Sequence, residues 1–150
     1  MQPLPLEYLV PLGALDAVGD LLPFAILVVA LVDLLTRFLA QRSYARQAEA
    51  DEDDDSVSRY LPHEAMNWLL LLLSFAYLIV EPHGGMVLAV LVVGVFVSDF
   101  FEFEARNVEV RNEMELEAPK SAIFASLLVV LYAAFQAVFF VIQPYWSQIV

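Results

Sequence analysis

Long apolar runs alternate with short polar stretches along this chain. The runs are Leu21–Ala40, Ala65–Val80, Met86–Phe101 and Ala122–Trp146. A membrane span takes about 20 predominantly apolar residues to cross ~30 Å of hydrocarbon. The first and fourth runs meet that length directly, and the second and third reach it with their flanking residues. The pattern therefore predicts four transmembrane helices, at about 21–40, 64–81, 84–101 and 121–146, with polar loops at 41–63 and 102–120. The third run is rich in Val, but a lone strand would leave its backbone groups unsatisfied in lipid, so it too reads as helix.

Upstream, Gly13, Asp16 and Asp20 share one helical face, and Leu12, Leu15 and Leu22 share another. A single helix from Pro11 to Ala40 would be ~45 Å long, too long for one span. Residues 11–20 therefore read as an interfacial helix that meets the first span near Pro23. The link Glu81-Pro82-His83-Gly84-Gly85 is short enough to force an antiparallel hairpin. Pro144 is expected to end the fourth span. The fold class expected is all-α: a single membrane domain over 1–150, an integral membrane four-helix bundle with an N-terminal interfacial helix.

Charge gives this bundle a direction. Arg37, Arg42, Arg46 and Arg59 lie at or between the first two runs, and Arg106, Arg111 and Lys120 lie between the third and fourth. The N-terminal stretch, the hairpin link and the C-terminal tail carry no Lys or Arg. By the positive-inside rule both charged loops are cytoplasmic, and both termini lie outside a cell membrane. Tyr60, Trp68, Tyr145 and Trp146 stand where interfacial aromatic anchors would.

The composition agrees with a bilayer setting. The chain is 61% hydrophobic and 17% charged, too apolar for a water-soluble domain of this size. Its net charge of −12, with Arg favoured over Lys, suits a halophile's ion-rich water and opposes nucleic-acid binding. The absence of Cys excludes disulfides and thiolate chemistry. The N-terminus lacks a basic region, so the first span is expected to act as its own insertion signal.

The loops are less distinct. Gln47–Ser58, with its acidic run Asp51–Asp55, reads as a solvated, disordered tether rather than a cation or partner site. From Val108 to Ala118 apolar and charged residues alternate as in an amphipathic strand. As a helix, the same segment puts Phe103, Val110, Met114 and Ala118 on one face. With no partner strand in this chain, a helical extension of the third span is expected. The strand alternative would imply pairing with another subunit.

Polar residues within the spans are the candidates for function. His63, Asn67, Ser74, Tyr77 and Glu81 recur at helical spacing on the second span. They form a stripe ~80° wide that must face protein or water. Tyr132, Gln136 and Gln143 mark a second stripe on the fourth span, with Ala133 and Ala137 as a small-residue notch. Gly85 with Ala89, and Gly94 with Ser98, are small-xxx-small pairs that permit close helix approach. Asp33 and Arg37, one turn apart, are expected to pair, with Arg37 snorkelling to the interface. The intramembrane candidates are thus Asp33, Arg37, Asn67, Ser74, Tyr77, Tyr132 and Gln136. They can form a polar path, with Asp33 its titratable group, or serve as interhelical glue, which is the favoured reading.

No pattern names a reaction. There is no GxSxG, HExxH, P-loop or dinucleotide fingerprint. His63 and His83 lie 20 residues apart along one helix, or ~30 Å, too far to share a metal or haem. His63 reads as part of a helix start and Asp99 as an ordinary interfacial acid. No catalytic residue, cofactor or metal is expected.

The acidic, Arg-over-Lys composition, the Glu49–Asp55 run and the Glu-rich Glu102–Glu117 link resemble the uncharacterised small, acidic, four-span membrane proteins of haloarchaea. That resemblance implies a cell-membrane location and supplies no activity or site residue. The leading expectation is a non-enzymatic structural or accessory subunit of a membrane complex, partnered by lipid and by itself or other subunits. Two alternatives stand beside it: a small ion or proton transporter with a path between protomers, and a regulator acting through its cytoplasmic acidic loops.

Overall fold

Buried positions recur every three or four residues on each long helix, the seam expected of helices packed in a bundle. The computed structural model describes residues 12–50 and 56–149. Helix α1, Leu12–Val18, leads through a 3-10 turn at Gly19–Leu21 into α2, Leu22–Ala50. Helices α3, Leu61–Val80, α4, Pro82–Arg111, and α5, Lys120–Ile149, complete the order. All four long helices are apolar and long enough to cross a membrane, which marks a multi-pass membrane protein. Each packs against two neighbours in the closed cycle α2–α3–α4–α5–α2. The connections make the bundle antiparallel, with one end carrying the Arg-rich segments and the other the α3–α4 hairpin.

The buried seam of α2 runs Leu22, Ile26, Ala30, Asp33, Arg37, Ala40, Tyr44. That of α3 runs His63, Asn67, Leu70, Ser74, Tyr77, so four members of the expected polar stripe face inward and only Glu81 is exposed. On α5 the innermost positions are Ala122, Ser126, Val129, Ala133 and Ala137. Tyr132 and Gln136 flank this seam half-buried, and Gln143 is exposed. The central core joins Ile26, Ala30, Leu70, Leu88, Val92, Val129 and Ala133. Outward positions are large and apolar, among them Val28, Leu35, Leu72, Val90, Leu131 and Phe135. This is the inverse of a soluble bundle and suits lipid contact.

Several local expectations change. Helix α4 starts at Pro82, so only Glu81 separates it from α3, and the link is one residue rather than five. Pro at the first helical position gives up no intrahelical bond. Gly85 permits the tight hairpin: a Cβ there would stand 2.4 Å from the Leu78 Cα. Its predicted partner Ala89 is also buried, whereas Gly94 is exposed and meets nothing within 4 Å. Helix α5 continues through Pro144 to Ile149. The proline removes the one bond its N–H would donate to Phe140, without forcing later residues out of the helix.

At the charged end, α2 runs to Ala50 and α4 to Arg111, so much of both expected loops is helical. The acidic run Asp51–Asp55 lies outside the described residues. The segment after it is held in place. Val57 is buried, its N–H donates to Asn107 Oδ1, and the Gln47 side chain bonds both backbone groups of Ser58. The solvated-tether expectation therefore fails for Val57 and Ser58.

Residues 113–119 are neither strand nor helix. Glu113, with φ of 55°, ends α4 in the left-handed region. Met114 N–H bonds Glu109 C=O and Glu113 N–H bonds Val110 C=O, the paired bonds of a Schellman cap. Arg106 then clasps the returning chain: it donates to both Glu109 carboxylate oxygens, at 2.6 and 2.8 Å, and to the Glu117 carbonyl. The alternating glutamates are thus partly spent on local anchoring, which removes the need for a partner strand.

Candidate functional site

Four ionisable side chains meet inside the bundle near its charged end. Asp33 and Arg37 come from successive turns of the α2 seam, His63 from the first turn of α3, and Asp99 from α4. Asp99 continues the inward series Leu88, Val92, Val95 at the same three-four spacing. Asp33, Arg37 and His63 are each at most 2% exposed, and the Asp99 side chain is 13% exposed.

Arg37 bridges the two carboxylates. Its Nη2 donates to Asp33 Oδ2 at 3.2 Å and its Nη1 to Asp99 Oδ1 at 2.5 Å. The expected Asp33–Arg37 pair is present, but Arg37 turns across the bundle to Asp99 instead of snorkelling outward. A charge-assisted bond to a second carboxylate offsets the loss of water at the interface. Asn67 Nδ2 donates to Asp99 Oδ2 at 2.9 Å.

His63 lies between the acids. Its Nε2 is 2.9 Å from Asp99 Oδ1, and its Nδ1 is 3.0 Å from Thr36 Oγ1 and 3.5 Å from Asp33 Oδ1. The Thr36 hydroxyl donates to the Asp33 carbonyl at 2.9 Å. In that orientation Thr36 can only accept from Nδ1, and the Asp99 carboxylate can only accept from Nε2, so both ring nitrogens carry hydrogen. If Thr36 turns its proton to Nδ1 instead, the ring is the neutral Nε2–H tautomer. Both forms find partners without moving a side chain other than the Thr36 rotor.

Charge separates the two forms. Two carboxylates and one guanidinium leave one negative charge in the network, which a proton on His63 cancels. Among the described residues, three buried side-chain atoms have no hydrogen-bond partner, Asp33 Oδ1 and Arg37 Nε in this network and Ser126 Oγ outside it. Asp33 Oδ1 faces the Nδ1 edge of His63, where the additional proton would sit. A proton added at Nδ1 would thus meet an acceptor already in place.

Two cavities border the network. A cleft of about 220 Å³ between α3 and α4 reaches Asn67 and Asp99, and its mouth carries Arg59 and Glu64. Arg59 bonds Glu64 at 2.5 Å and lies over the Phe103 ring at 4.2 Å. A void of about 20 Å³ touches Arg37, His63 and Asp99 from the charged end, enough for one water.

The hairpin end holds a second polar group. Tyr77 Oη donates to Gln136 Oε1 at 3.0 Å, and Gln136 Nε2 donates to Tyr132 Oη at 3.0 Å. Gly84 leaves the space the amide occupies: a Cβ there would stand 2.9 Å from Gln136 Oε1. These groups line an open cavity of about 510 Å³ whose rim includes Asp20, Glu81 and His83. Asn67 and Tyr77 stand ten positions apart on α3, or ~15 Å, and the apolar central core fills that interval. Ser74 bonds the Leu71 carbonyl within its own helix.

Of the sequence candidates, Asp33, Arg37 and Asn67 thus join one network, Tyr77, Tyr132 and Gln136 join another, and Ser74 joins neither. Three members of the charged network were not among those candidates: Thr36, His63 and Asp99. The signal for His63 was its place on the α3 stripe, and for Asp99 its register with Val92 and Val95. Residues 2–150 match the family described as a domain of unknown function (DUF7313). No curated protein and no solved structure matches the chain.

Proposed function

We propose that this chain, which belongs to the DUF7313 family, is a non-enzymatic integral membrane protein that carries protons through a single bundle. The observation that supports this most is the buried network of Asp33, Arg37, His63 and Asp99. Its charge balances only when one proton is added, and Asp33 Oδ1 is left open beside His63. An ionisable set inside a membrane bundle is expensive, and its usual role is to mark an ion or proton path. The cavities on the two sides of the apolar central core fit a protein that opens to one side at a time. By the distribution of Arg, the charged end faces the cytoplasm and the hairpin end faces out of the cell membrane. The path then lies within one protomer.

The proton form of His63 tests this reading. The chain has two histidines, so in a His83→Gln background every imidazole nitrogen signal belongs to His63. Nitrogen NMR in nanodiscs should show a doubly protonated ring converting to the Nε2–H tautomer as pH rises. A ring held in one form across the whole pH range over which the protein stays folded would overturn the proposal.

A second reading, an accessory subunit that assembles with itself or other membrane proteins, has its own support. Gly94 sits on the outer face with open space where a Cβ would be, beside exposed Val90, Val93 and Val97. Such a surface accepts a neighbouring helix at close range.

A further inference from the structure

We infer that the hairpin-end cavity binds a small organic cation, of the ammonium class, as the solute exchanged against the proton. This inference rests on the transport reading for its role, but the binding stands on the cavity itself. At about 510 Å³ the cavity lies within the ~300–1,000 Å³ range of small-molecule sites. Its lining has no Lys or Arg, and all seven Lys and Arg residues belong to the charged end. Asp20 and Glu81 place two carboxylates at the rim, and His83 is the remaining titratable side chain there. Aromatic side chains line it, with Tyr77 and Tyr132 inside and the outward-reaching Phe135, Phe139 and Phe140 at its open side.

Each feature favours a cation over the alternatives. An anion would meet two carboxylates and no fixed positive charge. A neutral apolar solute would gain nothing from the rim carboxylates or from the Gln136 carbonyl. An ammonium group is attracted to aromatic faces and to the rim acids together. The Gln136 carbonyl, held in place by the Tyr77 hydroxyl and the missing Cβ of Gly84, offers an acceptor at the cavity floor. A free amine and the ammonium headgroup of a lipid share this chemistry. The acidic rim would repel the phosphate of a headgroup, so the free cation is the better fit.

The test is calorimetric titration of the full chain, purified in a maltoside detergent, with choline. Its uncharged isostere 3,3-dimethylbutanol and the short-chain lipid dihexanoylphosphatidylcholine form the comparison arms. Choline should bind saturably and at least tenfold tighter than the isostere or the lipid. Gln136→Leu and the exposed-rim variant Glu81→Gln should each weaken it, the latter without risk to the folded core. Choline binding no tighter than that of the isostere, or unchanged in Glu81→Gln, overturns the inference. Tighter binding of the lipid overturns the free-cation form of it. Choline binding alongside a His63 ring fixed in one proton form would support the cavity assignment while removing the transport reading.

Discussion

Arg37 is the residue on which the charged network depends, because its guanidinium bonds both carboxylates and is the one fixed positive charge beside them. With the guanidinium removed, Asp33 and Asp99 face each other's field across a buried space. Breaking a buried pair by deleting one partner costs about 3–5 kcal/mol, since the remaining charge is left uncompensated. Arg37→Met is therefore expected to lower unfolding stability by about that much in detergent. Arg37→Met combined with Asp33→Asn should cost less than the sum of the two single changes, a non-additivity that a double-mutant cycle measures directly. At this scale the sequence was legible where partners are close in the chain. The Asp33–Arg37 pair follows from one helical turn. The longer-range bonds from Arg37 and His63 to Asp99 connect residues on three helices, and no local spacing carries that information. His63 reads as a helix start, which it is, yet the same first turn is buried against Thr36.

Among the elements, the α3–α4 hairpin sets the geometry of the hairpin end. One linking residue brings the start of α4 against the last turns of α3, and Gly85 makes room for the Leu78 backbone. Backbone cannot shift as a flexible side chain can, so Gly85→Ala should splay the hairpin. The expected loss is about 2 kcal/mol, in the range for overpacking a tight contact, with a lower melting temperature in a thermal scan. An unchanged melting temperature would show that the helices approach less closely than described. Helix periodicity predicted the four spans and the inward stripe of α3, since burial and polarity share one period. The end of α4 was not legible in the same way. Its alternating glutamates satisfy a strand pattern and a helix pattern equally. The outcome is decided by the Arg106 clasp on Glu117, a contact made only after the chain has turned.

For the whole molecule, the sorted basic residues and the apolar exterior describe a bundle that lies in a bilayer with its Lys and Arg gathered at one end. Turning Asp33 and Arg37 of α2, the stripe of α3 and Asp99 of α4 inward satisfies within one chain polar groups that would otherwise demand a second subunit. What is left is a network with one open carboxylate oxygen, an apolar core, and an acidic, aromatic cavity beyond it. The most direct measurement of the account is proton flux into liposomes containing the purified protein, followed by an internal pH dye under an imposed gradient, with choline supplied on the opposite side. The account predicts flux well above that of protein-free vesicles, faster with choline than without it, and reduced at least tenfold in Asp33→Asn and in His63→Gln that retain full helical content. Flux indistinguishable from empty vesicles, or flux unchanged by both substitutions, would contradict it.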